Sequence, residues 1–196
     1  MEKNRIEAFS DGVFAIIITI MVLDLKVPDH ADISALKPLL PVFLTYVLSF
    51  VYLGIYWNNH HHLLKAARSV NGAMMWANLH LLFWLSLFPF VTGWMGENHF
   101  TTSPTALYGG VLLAASVAYY ILQNAIMAQH DCDSKLARAI GRDWKGKLSP
   151  VLYATGIGLA LVRPWFSCVV YFGVALMWLI PDRRIEKVIN ELEDGD

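Results

Sequence analysis

Cysteine and charge are both scarce in this chain. Two cysteines among 196 residues exclude a disulfide-stapled secreted scaffold, and neither Cys132 nor Cys168 has the spacing of a CxxC metal site. Charged residues make up 16% of the chain, against about 25% in an average soluble domain. The formal net charge of −1 supplies no basic field, so no nucleic-acid partner is expected. There is no internal repeat, Gly/Ser linker or low-complexity run, which leaves residues 1–196 as one domain. Reaction motifs are missing as well: no GxSxG, P-loop or HExxH is present, nor a TVGYG-like ion filter. No catalytic residue can be named, and an enzyme is not expected.

What fills the chain instead is apolar. Hydrophobic residues reach 56%, with 7 Trp, 8 Tyr and 10 Phe, and the mean hydropathy is +0.46. A water-facing surface does not carry this composition, and a bilayer does. Charge-free stretches compared with the ~20 residues of a spanning helix predict an all-α membrane protein with six transmembrane helices. These cover about residues 5–25, 38–64, 71–95, 104–130, 147–162 and 164–182, the last two short and joined around Arg163 and Pro164. Residues 131–146 read as a cytoplasmic loop. Residues 183–196 read as a cytoplasmic tail with an apolar stripe at Ile185, Val188, Ile189 and Leu192.

Positive charge orients the layout. Lys3, Arg5, Lys65, Arg68, Lys135, Arg138, Arg142, Lys145, Lys147, Arg183, Arg184 and Lys187 fall on the side of the termini, and only Lys26, Lys37 and Arg163 on the other. Twelve against three makes both termini cytoplasmic, in a multi-pass protein of the plasma membrane. Glu2, Glu7 and Asp11 break any basic leader, so the first helix is expected to be retained rather than cleaved as a signal peptide.

Ionisable groups inside such helices are costly and call for a role. Asp11 stands about a turn inside helix 1, on a different face from Arg5, and needs a partner on another helix unless it caps a helix that begins at Gly12 or Val13. By depth the candidates are His80, Asn78 and the run His60, His61, His62. That run invites a metal reading, but neighbouring helical residues diverge by about 100°, so no fixed metal site is expected. On helix 1 itself, Gly12, Ile16, Thr19, Ile20 and Leu23 share one face. Around an axis they would make hydrophobic rings with one hydroxyl ring, followed by Asp24. Since the helix is apolar all round, periodicity alone does not choose that face.

Arg5, Phe9, Ser10 and Asp11 spell R-x-x-x-F-S-D, followed by Gly12, Val13, Phe14, Ala15, Ile16 and a run closing in Leu23, Asp24, Leu25, Lys26, Val27, Pro28. Further matches are Tyr56, Trp57, His60 and His61, then Trp76, Asn78 and Leu79, then Leu87, Pro89 and Phe90. With these residues the chain resembles the transmembrane protein 175 family of potassium channels, specifically its prokaryotic members with one six-helix unit. The resemblance covers the first half in motif and the remainder in topology.

It implies a homotetramer in the lipid bilayer whose central pore is lined by helix 1 and conducts K+ passively. Rb+ and Cs+ would also permeate, selectivity over sodium would be weak, and no cofactor would be needed beyond the permeant ions. By position, the pore constriction falls on Ile16, with further apolar layers at Ile20 and Leu23, and Thr19 takes the hydroxyl position associated with potassium preference. Arg5, Phe9, Ser10 and Asp11, together with Trp57, His60, Asn78 and His80, form a polar network that fixes helix 1, with His80 as the expected partner of Asp11. Asp24 either concentrates cations at the outer mouth or pairs with Lys26. The competing function is a proton-coupled or other secondary transporter, which needs polar groups near the midplane, where helix 1 offers little beyond Thr19.

Overall fold

A bilayer interior offers the backbone no water, so a chain this apolar satisfies its own N–H and C=O groups by forming helices, even through the β-branched run Ile16 to Ile20. The computed structural model describes residues 3–28, 30–130 and 144–179, and within them the regular structure is entirely helical. The helices are α1 (Lys3–Leu23), α2 (Leu40–Ala66, preceded by a 3-10 segment over Ile33–Leu39), α3 (Gly72–Ser86), α4 (Phe88–Glu97), α5 (Thr102–Met127), α6 (Trp144–Ala160) and α7 (Pro164–Leu179). Of the expected cytoplasmic segments, residues 131–143 and 183–196 lie outside the described residues, as do residues 180–182 of the expected sixth span, while 144–146 belong to α6.

Local chemistry sets the helix ends. Pro41 and Pro164 occupy first turns, where the missing N–H costs nothing. The Asn71 side chain caps α3 by accepting from the Met74 N–H at 2.8 Å. The expected third span is two helices rather than one. Pro89 cannot donate to the Leu85 carbonyl and crowds it, so α3 ends and α4 restarts at Leu87. At the end of α4 the backbone closes on itself, with Phe100 N–H reaching Met95 O at 3.0 Å and His99 N–H reaching Gly96 O at 3.1 Å. His99 and Phe100 adopt positive φ there, 50° and 59°.

Four stretches are long and apolar enough to cross a membrane: Lys3–Leu23, Ile33–Ala66, Gly72–Glu97 and Thr102–Met127. Helices α6 and α7, with 17 and 16 residues, extend only about 24–26 Å at 1.5 Å per residue. α5 is the hub, with α3, α4, α6 and α7 packed on it, while α1 packs on α2, α3 and α4. Leu112, Ala115, Ala118 and Leu122 of α5 are fully buried. Outward, Trp76, Phe83, Val151, Val169 and Phe172 are exposed apolar side chains, as lipid contact allows.

Close helix crossings rest on glycine. A Cβ at Gly96 would stand 2.6 Å from both the Val42 Cα and the Thr45 Oγ1, and the backbone atom cannot yield. A Cβ at Gly110 meets nothing within 4 Å. Gly96→Ala is therefore expected to destabilise the purified protein by about 1–3 kcal/mol, whereas Gly110→Ala leaves it unchanged or slightly more stable. Thermal unfolding of the two variants checks this, and equal melting temperatures would refute the tight α2–α4 crossing.

Candidate pore-lining helix and its anchoring network

Helix α1 has two faces. Ile6, Ser10, Phe14, Ile17 and Met21 are buried against the bundle, at spacings of three and four. Opposite them, Phe9 (54% exposed), Ile16 (60%), Ile20 (49%) and Leu23 (77%) point away from the protomer, with Gly12 and Thr19 also exposed. The residues expected to line a pore thus share the one face of α1 that the protomer leaves uncovered. The Thr19 hydroxyl donates to the Ala15 carbonyl at 2.8 Å, so its own oxygen remains able to accept.

The inner face is held by a directed chain of buried hydrogen bonds. His60 Nε2 and Asn78 Oδ1 are 2.7 Å apart, Asn78 Nδ2 donates to Ser10 Oγ at 3.0 Å, and Ser10 Oγ donates to the Ile6 carbonyl at 2.8 Å. The sequence of donors and acceptors is consistent if His60 carries its proton on Nε2. All three side chains are at most 1% exposed, and the His60 ring packs 5.8 Å from Phe14. One chain thereby joins α2, α3 and α1. Farther along, Ser49 meets Thr92 at 2.7 Å and Tyr108 at 3.0 Å, which ties α2, α4 and α5.

A second layer lies nearer the surface. Trp57 Nε1 donates to Asp11 Oδ1 at 2.9 Å, and Glu7 Oε1 meets His61 Nδ1 at 3.0 Å. Glu7 and Asp11 are four residues apart, as are Trp57 and His61, so two antiparallel helices present matched pairs. Lys3 extends the seam by donating to the Lys65 carbonyl at 2.8 Å. Asp11 therefore pairs with Trp57 and not with His80. The His80 Nε2 instead accepts from Trp84 Nε1 at 2.9 Å within its own helix.

Of the expected network, Ser10, His60 and Asn78 form the buried chain, Asp11 and Trp57 a surface pair, and Arg5 and Phe9 lie on the exposed side. The histidine run divides accordingly: His60 faces inward to Asn78, His61 pairs with Glu7, and the His62 ring packs edge-on against His61 at 5.7 Å. Glu7 was not among the expected site residues, although its spacing from Asp11 carried the signal.

At the other end of α1, Asp24 is exposed and its carboxylate lies over α4, where a Cβ at Gly93 would stand 2.7 Å from Oδ2. Lys26 does not take Asp24 as its ion-pair partner. Its Nζ lies 2.6 Å from Glu97 Oε1, and hydrogen bonding and charge from Glu97 hold the ammonium above its usual pKa. Because the folded value is raised, this link is intact at neutral pH and is lost only as pH climbs past that value. The bridge is exposed on both sides and contributes little to stability.

A bacterial relative, "Potassium channel HX13_20290" of Chryseobacterium sp. (strain P1-3), is 52% identical over 97% of this chain and all of its own length. The chain belongs to the TMEM175 family. The family described as "Endosomal/lysosomal potassium channel TMEM175" matches residues 5–89, the stretch that holds both the buried chain and the surface pairs. The crystal structure of a lysosomal potassium-selective channel TMEM175 homolog from Chamaesiphon minutus superposes with a TM-score of 0.79 at 31% identity, covering 91% of this chain and 97% of that one. The human "Endosomal/lysosomal proton channel TMEM175" is 40% identical over 86 residues, 38% of this chain and 17% of its own. A TMEM175 family member with several membrane-length apolar helices is a multi-pass membrane protein, and the relatives it matches are named channels.

Breaking the buried chain is expected to cost more than breaking the surface pair. Asn78→Leu strands the His60 N–H and leaves Ser10 without its donor, a loss on the order of 2–4 kcal/mol. Asp11→Asn keeps an oxygen acceptor for Trp57 and costs less than about 1 kcal/mol. Thermal unfolding in detergent reads both, and equal losses would show that the interior chain is not the stronger anchor.

Proposed function

We propose that this chain forms a potassium-preferring cation channel of four copies, with α1 of each lining a central pore. The observation that carries the reading is the exposed apolar face of α1, set opposite a face that buried hydrogen bonds hold against α2 and α3. With four such faces around an axis, the family resemblance assigns the narrowest ring to Ile16, with Ile20 and Leu23 as further apolar layers and the Thr19 hydroxyl between them. A ring of isoleucines conducts only when it widens or wets, so it acts as a gate. Thr19 supplies oxygen ligands to a partly dehydrated K+, and Rb+ and Cs+ pass by the same route with weak discrimination against Na+. Asp24, with Lys26 engaged by Glu97, raises the local cation concentration at the outer mouth.

Twelve of the fifteen Lys and Arg residues on the side of the termini support a plasma-membrane orientation with both termini in the cytoplasm. The relatives carry channel names, which leaves the secondary-transporter reading unfavoured. Conduction is passive and draws on no cofactor.

Cation flux through purified protein in liposomes tests the proposal, with K+, Rb+, Cs+ and Na+ gradients run side by side. The parent is expected to pass K+ in preference to Na+, and Ile16→Asn to raise the current several-fold by wetting the ring. Unchanged flux in an assembled Ile16→Asn variant would move the constriction elsewhere, and no flux of any cation in either protein would remove the channel reading.

A further inference from the structure

The exposed face of α1 that carries Ile16 continues past Phe9 to Arg5. The separation of Arg5 from Ile16 makes three helical turns and about 20° more, so the two share an azimuth, about 16 Å apart along the axis. Phe9 and Leu23 lie within about 20° of the same line. The other described charges of α1 are turned elsewhere: relative to Ile16, Glu7 lies about 180° around the helix, and Asp11 and Lys3 about 140°. Each of these three has a partner on α2. Glu7 Oε1 meets His61 Nδ1 at 3.0 Å, Asp11 accepts from Trp57 at 2.9 Å and Lys3 donates to the Lys65 carbonyl at 2.8 Å. Arg5 is exposed and makes no hydrogen bond or ion pair among the described residues. Its guanidinium keeps its charge at any working pH.

We propose, resting on the four-copy pore above, that Arg5 makes the conduction path directional: four guanidinium groups at its cytoplasmic entrance deplete cations there and weaken outward K+ flow. Asp24 stands at the opposite mouth with the opposite charge, about 12 Å beyond Ile16. The pore then draws cations in from outside and repels them from inside, so inward current is the larger at equal concentrations. Distance confines the effect to entry. At physiological salt the Debye length is about 8 Å, half the separation of Arg5 from Ile16, and the constriction is screened from the charge. Valence sharpens it. A potential that halves local K+ leaves about one quarter of a divalent cation, because the doubled charge squares the depletion. The same entrance therefore discriminates against Mg2+.

Inside-out patches from cells expressing the full-length protein read the two directions of K+ current separately, at about 0.1 M KCl on both faces, where the Debye length is about 10 Å. The parent is expected to pass about twice as much inward as outward current. Arg5→Gln is expected to raise outward current about twofold, with a far smaller change inward, and to make block by cytoplasmic Mg2+ about fourfold more sensitive. Arg5→Lys, which keeps the charge, is expected to retain the parent's asymmetry. At about 1 M KCl, with a Debye length of about 3 Å, parent and Arg5→Gln currents converge. Arg5→Cys in a background with Cys132→Ser and Cys168→Ser isolates charge within one folded protein: a cationic thiol reagent lowers outward current and an anionic one raises it. Equal changes in both directions, or an Arg5→Lys that matches Arg5→Gln, would make Arg5 a fastener of the helix and overturn the proposal. Outward current indifferent to the sign of the reagent would overturn it too. Failure of the pore reading itself shows differently, as absence of current from both the parent and Ile16→Asn in the same patches.

Discussion

The rotation of α1 about its own axis is the constraint on which the rest of the molecule depends, and hydrophobicity does not set it. The helix is apolar on every side from Gly12 to Leu23, and in lipid an isoleucine gains almost nothing by facing a protein rather than an acyl chain. Ser10 breaks that degeneracy. Its hydroxyl lies at the end of the chain that runs from His60 through Asn78, in an interior where each hydrogen bond is strong and each unmet one expensive. A shift of one residue turns α1 by about 100° and takes Ser10 out of the chain, leaving Asn78 with no acceptor. The helix therefore has one low-energy setting, and in that setting Ile16, Ile20 and Leu23 face outward.

The same economy of polar contacts recurs along the helix. Near its start the Glu7–His61 and Asp11–Trp57 pairs flank the buried chain. Toward its end Met21 meets the Thr92 hydroxyl, which belongs to the Ser49–Tyr108 cluster. Between α3 and α4 the break at Leu87 lets α4 lie at its own angle against α1 and α2. Gly96 then accepts the α2 backbone, and Gly93 leaves room for the Asp24 carboxylate. Each of these devices holds the inner side of α1 or the helices behind it, and none covers the outer face.

Much of this was legible in the sequence, because the bilayer enforces a simple rule of long apolar runs between charges. The starts of α2, α3 and α5, the F-S-D motif and its likeness to a channel family all followed from local residues. What local residues carry poorly is azimuth. Reading by depth made His80 a reasonable partner for Asp11, but His80 is two positions beyond Asn78, about 200° around α3. With Asn78 facing α1, His80 faces away and finds Trp84. The Lys26–Glu97 bridge joins residues 71 apart in sequence, and no spacing rule reaches that far. The split at Leu87 was signalled by Pro89, which a reading based on hydropathy alone passes over.

Cysteine accessibility along α1 tests the central claim most directly. In a background with Cys132→Ser and Cys168→Ser, single cysteines replace Ile16, Ile20 and Leu23 on one face and Phe14, Ile17 and Met21 on the other, and K+ flux is followed before and after a water-soluble thiol reagent. The account predicts that modification changes flux at the first three positions and not at the second three. Modification confined to Phe14, Ile17 and Met21, or spread evenly over all six, would contradict it.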